Sequence, residues 1–139
     1  MGFFSRFFRL RAAKILVVED SPEVLEFVKY VLLSGGYEVT TAKDGVEGLA
    51  FFGKEKFDLV ILDYNMPRMG GAEVLKRIRA EPGSGKTAVI MLSAERMLDP
   101  IYKAYDQGIV TWIPKPFVAA DLLAKVAVQL KTAPNRAAS

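Results

Sequence analysis

The stretch Val60-Ile61-Leu62-Asp63-Tyr64-Asn65-Met66-Pro67, VILDYNMP, decides how this chain is read. Apolar residues suited to a buried strand end on a single aspartate, and a turn-forming segment follows at once. Burial without partners is costly, roughly 2–7 kcal/mol even for a neutral polar group. Asp63 therefore needs partners, and a reason to stay charged.

Working outward, similar runs recur at Ile15–Val18, Tyr37–Thr41, Phe57–Leu62, Thr87–Leu92 and Ile109–Ile113. The first, third and fourth are nearly continuous in Ile, Leu and Val, as expected of strands covered on both faces. Tyr37–Thr41 alternates more and suits an edge strand. Helix punctuation fills the gaps. Ser21-Pro22 supplies an N-cap and an N1 proline, and Gly35-Gly36 closes that helix. Asp44 with Glu47 has the form of a capping box. A third helix is predicted over Gly71–Ala80, ending before Pro82. Asp99-Pro100 opens a fourth that closes at Gly108, and a fifth begins near Phe117 and fades in the tail. Five βα units imply an α/β fold, a five-stranded parallel sheet with helices on both faces. Right-handed crossovers favour strand order 2-1-3-4-5, with the site at the carboxyl ends of the strands.

Composition narrows the chemistry. The 139 residues suit one domain, and neither cysteine nor histidine occurs. Disulfides, thiolate metal sites and a histidine base are thereby excluded, and any metal must be held by oxygen. The net charge of +3 is carried by the ends: residues 15–130 hold 13 basic residues against all 16 acids. A mildly acidic body is not expected to bind nucleic acid. No run approaches the ~20 apolar residues of a membrane span, and the arginine-interrupted N-terminus lacks a secretory core. A cytoplasmic protein is expected.

At the predicted strand ends, strand one finishes in Glu19-Asp20, strand three in Asp63, strand four in Ser93, and strand five runs into Lys115. The strand order brings these groups to one sheet edge. Clustered carboxylates raise one another's pKa, which a hard divalent cation relieves. Magnesium, which takes a few carboxylates plus water and phosphate, fits best, with manganese as an alternative. Lys115 can pair with Asp63 or with a phosphate oxygen, and Ser93 adds a hydroxyl. A lone strand-end aspartate is more often a helix cap, and Asp20 could cap the first helix. Five polar groups on one edge are not explained that way.

Glu19-Asp20, Asp63-Tyr64-Asn65-Met66-Pro67 with Gly70-Gly71, Ser93 and Lys115-Pro116-Phe117, at these spacings, resemble the receiver domain of two-component response regulators. The resemblance covers residues 14–131, leaving 1–13 as a basic amphipathic extension and 132–139 as a tail. It implies a flavodoxin-like (βα)5 fold in which Asp63 accepts a phosphoryl group from a histidine kinase or phosphotransfer protein. It also implies magnesium held by Glu19, Asp20, Asp63 and the backbone carbonyl of Asn65, Asp20 directly and Glu19 through water. Ser93 and Lys115 would engage phosphoryl oxygens, and Lys115-Pro116 would be cis. The donor histidine must come from another molecule. Asn65 and Glu95 occupy the positions that tune dephosphorylation and match chemotaxis-type stand-alone regulators, which lose their phosphate quickly. Such a protein is a signalling switch rather than an enzyme, although it assists its own phosphotransfer and autodephosphorylation. With little chain after the fifth helix, output is expected by contact with a downstream protein, at the face of the fourth helix, fifth strand and fifth helix. The alternative is a receiver-fold interaction scaffold that is never phosphorylated. A flavodoxin-like nucleotide or flavin binder would need small residues after strand one, where Glu19-Asp20-Ser21-Pro22 stands.

One position departs from the family pattern. The switch aromatic three residues before Lys115 is ordinarily Tyr, Phe or His, and here it is Trp112. Its ring is expected to move with Ser93, or else to stay as a surface anchor, since a buried indole N–H needs a partner. Glu81–Thr87 resembles the end of a phosphate-binding P-loop, but Ala80 stands where glycine is required and the segment precedes a strand. It reads as a turn. Phe3, Phe4, Phe7 and Phe8 fall on one side of a helical wheel, with Arg6 and Arg9 largely opposite. Such a segment can lie on an anionic membrane surface, dock to a partner, pack on its own domain, or stay unfolded.

Overall fold

Alternation of side chains along the central strands builds both cores at once, because successive residues of a strand face opposite sides of the sheet. The computed structural model describes residues 11–84, 87–94 and 110–132. Strands β1 (Lys14–Val18), β2 (Glu38–Ala42), β3 (Leu59–Asp63), β4 (Ala88–Ser93) and β5 (Val110–Pro114) form one parallel sheet in the order β2-β1-β3-β4-β5. Helices α1 (Pro22–Ser34), α2 (Gly45–Lys54), α3 (Gly71–Ala80) and α4 (Ala119–Thr132) complete the described elements.

On one face Ile15, Val17, Ile61 and Ile90 pack with Val28 and Leu32 of α1 and Leu122 and Val126 of α4. On the other, Leu16, Val18, Val60, Leu62 and Met91 pack with Val74, Leu75 and Ile78 of α3 and Leu49 of α2. All five residues of β3 and all six of β4 are buried. At roughly 25 cal/mol per Å² of apolar area removed from water, these two layers supply the main stabilisation. β2 is an edge strand with an exposed start, as its alternation predicted.

The local signals act largely as predicted. Ser21 caps α1, accepting from the Val24 N–H at 3.4 Å, and Pro22 follows; Asp20 is not the cap. At the far end Gly36 takes a φ of +90°, a left-handed conformation that favours glycine, while its N–H bonds the Leu33 carbonyl. Asp44 accepts from the Glu47 N–H at 2.8 Å, but Glu47 returns its bond to the N–H of Lys43 rather than Asp44. The last helix starts at Ala119, near Phe117 as predicted, and Phe117 sets its ring 6.1 Å from that of Phe27.

Glu81–Ser84 is a turn, with Gly83 at a φ of +81° and the Ser84 hydroxyl donating to the Glu81 carbonyl at 2.9 Å. It lies at the strand-start edge of the sheet, away from Asp63. Gly85 and Lys86, the helix predicted from Asp99-Pro100 to Gly108, and residues 1–10 and 133–139 lie outside the described residues. Among the described residues no helix is long and apolar enough to cross a membrane.

Candidate functional site

Parallel pairing of β1, β3 and β4 carries their last residues to a common edge. Val18 pairs with Leu62, Asp63 with Leu92, and Ser93 with Pro114. The chain turns into loops there, and three acidic side chains meet. Carboxylate oxygens of Glu19, Asp20 and Asp63 lie within 4.8 Å of one another. Glu19 is fully buried, Asp63 is 3% exposed, and Asp20 sits on the exposed rim.

Lys115 is the cation that holds this group together. Its Nζ lies 3.1 Å from Asp63 Oδ1 and 3.1 Å from Glu19 Oε1. The Lys115-Pro116 peptide is cis, and the Lys115 N–H donates to the Ser93 carbonyl at 2.8 Å. Glu19 Oε2 accepts from the Ser21 N–H at 3.0 Å, which ties the first loop to the site. Its other oxygen, Oε1, is the one that faces the Lys115 ammonium.

One ammonium does not neutralise this cluster. Burial pushes the Asp63 carboxyl up, the Glu19 charge adds to it, and Lys115 offsets only part, leaving a pKa raised to about 7. Burial pulls the Lys115 ammonium down, but Asp63 and Glu19 outweigh this and hold it above its ordinary value. A cluster of three carboxylates that faces one ammonium among the described residues and offers only oxygen donors fits a hard divalent cation such as magnesium.

The loop after Asp63 is shaped to approach the strand closely. Asn65 is exposed at its crest, and Arg68 has a φ of +66° in a tight turn closed by the Met69 N–H on the Pro67 carbonyl at 2.7 Å. Gly71 opens α3 against the strand end. A Cβ there would stand 2.5 Å from the Asp63 carbonyl oxygen and 2.9 Å from Tyr64 Cα. The glycine pair after Met69 thus has a steric reason at its second position. Ser93 is buried at the end of β4.

Trp112 is half-buried beside the second core, with its ring centroid 5.8 Å from that of Tyr64 at an interplanar angle of 58°. The sequence singled out Trp112 but not its contact with Tyr64, nor the bonds from Lys115 and Ser21 to Glu19. Glu95 and Phe3, Phe4, Phe7 and Phe8 lie outside the described residues.

The chain is similar to known proteins in sequence and fold. The chain is 39% identical over 114 residues to the chemotaxis protein CheY-3 of Vibrio cholerae, covering 81% of this chain and 88% of that one. It is 36% identical over 118 residues to the transcriptional regulatory protein DltR of Streptococcus agalactiae, covering 85% of this chain but 52% of DltR. Among solved structures, chemotaxis protein CheY4 of Vibrio cholerae superposes with a TM-score of 0.80 at 36% identity, covering 86% of this chain and 99% of CheY4. The family model for the response regulator receiver domain matches residues 15–127. From the strand order to the acidic pocket and its lysine, the chain belongs to the response regulator receiver domain family.

Proposed function

We propose that this protein is a phosphorylation-driven switch in which Asp63 accepts a phosphoryl group from a histidine kinase or a phosphotransfer protein. The observation that carries this reading is the convergence of Asp63 with Glu19, Asp20 and Lys115 at one sheet edge. An Asp63 carboxylate oxygen attacks phosphorus and forms the acyl phosphate. The donor's P–N bond breaks, and its imidazole nitrogen leaves with the electron pair and takes up a proton. Phosphoryl transfer needs positioning and neutralised charge more than covalent help from the protein.

Glu19, Asp20, Asp63 and the Asn65 carbonyl would hold magnesium, or manganese in its place. When bound, the ion neutralises charge on the carboxylates and on the incoming phosphoryl oxygens. Lys115 moves from the Asp63 carboxylate to a phosphoryl oxygen and keeps its link to Glu19. Ser93 bonds a second phosphoryl oxygen, and Trp112 responds to that shift. The resulting bias in a two-state equilibrium is read by a downstream protein. Asn65 and Glu95 set a short phosphoryl lifetime; an acyl phosphate that persists for hours with magnesium would contradict this role.

Beryllofluoride, a phosphoryl mimic, tests the site directly. Fluorine NMR with magnesium should show a bound signal for the wild type and none for Asp63→Asn. A wild type that binds neither magnesium nor the mimic would favour the unphosphorylated scaffold instead.

A further inference from the structure

Tyr64 immediately follows Asp63, and its ring meets the indole of Trp112 from the next strand but one, β5. Tyr64 is anchored through its backbone. The Tyr64 N–H bonds the Leu92 carbonyl at 2.8 Å, and its carbonyl accepts from the Gly71 N–H at 2.9 Å. Gly71 packs so closely that an added Cβ would come within 2.9 Å of Tyr64 Cα. Both backbone groups of Tyr64 are therefore occupied, and its Cα is wedged between β3 and α3. Trp112 belongs to β5, the last strand of the sheet, which pairs with β4 along one side only. Tyr64 is thus anchored by its backbone beside Asp63, and its ring is a neighbour against which Trp112 of the edge strand rests.

We propose that Tyr64 is a positioning residue for the switch aromatic. Its ring sets the resting orientation of Trp112 and links that orientation to the Asp63 loop by a route separate from Ser93. The tilted geometry, with centroids 5.8 Å apart, is one that aromatic pairs favour. Removing such a pair shifts a two-state equilibrium by about two- to ten-fold, enough to repopulate rotamers without unfolding the protein. Chemistry at Asp63 need act only through one fixed residue to reach the indole. The regulatory part of this inference rests on Asp63 being the phosphoacceptor; the resting contact does not.

Trp112 is the single tryptophan, so the fluorescence signal reports the surroundings of this one indole, Tyr64 among them. Tyr64→Ala and Tyr64→Phe should be compared with wild type in acrylamide quenching without metal, and in Trp112 emission during a magnesium–beryllofluoride titration. Fluorine NMR follows occupancy independently. Tyr64→Ala should raise the quenching constant about two-fold or more and reduce the emission change on saturation by at least about half, with the bound fluorine signal retained. Tyr64→Phe keeps the ring and should match wild type in both readouts. Quenching and emission changes in Tyr64→Ala equal to wild type would overturn the proposal. So would loss of the bound fluorine signal in that variant, or failure of Tyr64→Phe to restore the wild-type response. A wild type without any bound fluorine signal would refute the phosphoacceptor reading, while the metal-free quenching comparison would still decide the contact.

Discussion

The Lys115 ammonium lies 3.1 Å from Asp63 Oδ1 at the carboxyl edge of the sheet, and it meets buried Glu19 at the same distance. Among the described residues, one cation thus serves two carboxylates. Lys115→Ala removes that partner from two buried acids. It should destabilise the metal-free protein at pH 8 by about 2–3 kcal/mol, since breaking a buried pair strands the remaining charge. Magnesium should then stabilise the variant by more than it stabilises wild type. Urea denaturation of both proteins with and without magnesium checks this, and equal stabilisation would contradict it.

The Asp63 carboxyl, raised to about 7 by burial and the Glu19 charge, makes stability depend on pH. Because the folded state holds this proton more tightly than the unfolded chain, the contribution is full below pH 3.8 and is lost as pH rises through about 7. Metal-free wild type should therefore lose stability between pH 5 and pH 8 relative to Asp63→Asn, which cannot ionise there. At pH 8 the variant should be the more stable protein by about 1–3 kcal/mol, with a smaller gap at pH 5. Thermal melts at the two pH values measure the difference.

Gly71 lets α3 approach the loop after Asp63 closely. In Gly71→Ala the new methyl meets backbone at Asp63 and Tyr64 and Met91 Sδ at 2.8 Å, so the loop must move. A cost of about 1–3 kcal/mol is expected, as for overpacking. Beryllofluoride affinity should fall with it, because the displaced atoms adjoin Asp63. Unchanged stability and affinity would show that the loop yields freely.

The opposite edge of the sheet offers a control. Asp58 is buried, accepts from the Lys14 N–H at 2.8 Å, and pairs with both guanidinium nitrogens of Arg11 at 3.3 Å. Arg11 is half-exposed, so Arg11→Ala should cost at most about 1 kcal/mol. Asp58→Ala leaves a strand N–H without its acceptor and should cost about 1–3 kcal/mol. Neither should alter beryllofluoride affinity, since both lie at the strand-start edge.

Much of this was legible from residues 14–131. The continuous apolar runs before Asp63 and Ser93 marked strands buried on both faces, and Ser21-Pro22 and Asp44 marked helix starts that occur as expected. Strand ends have a fixed place in a parallel sheet, so Glu19, Asp20, Asp63, Ser93 and Lys115 could be brought together by counting alone. Contacts that depend on side-chain direction could not. Whether Lys115 reaches Glu19 as well as Asp63 depends on its path after β5, and the meeting of Tyr64 with Trp112 depends on how β3, β4 and β5 twist. The last helix starts at Ala119, close to the Phe117 region where the sequence placed it, and the packing of Phe117 on Phe27 is a contact the sequence did not show.

Intact-mass analysis after incubation with acetyl phosphate and magnesium, followed by reduction of the acyl phosphate and peptide mapping, tests the central claim most directly. A single phosphoryl adduct mapped to Asp63, absent without magnesium and absent in Asp63→Asn, is the predicted result. An adduct on another residue, or none on wild type under conditions that phosphorylate a control receiver, would contradict it.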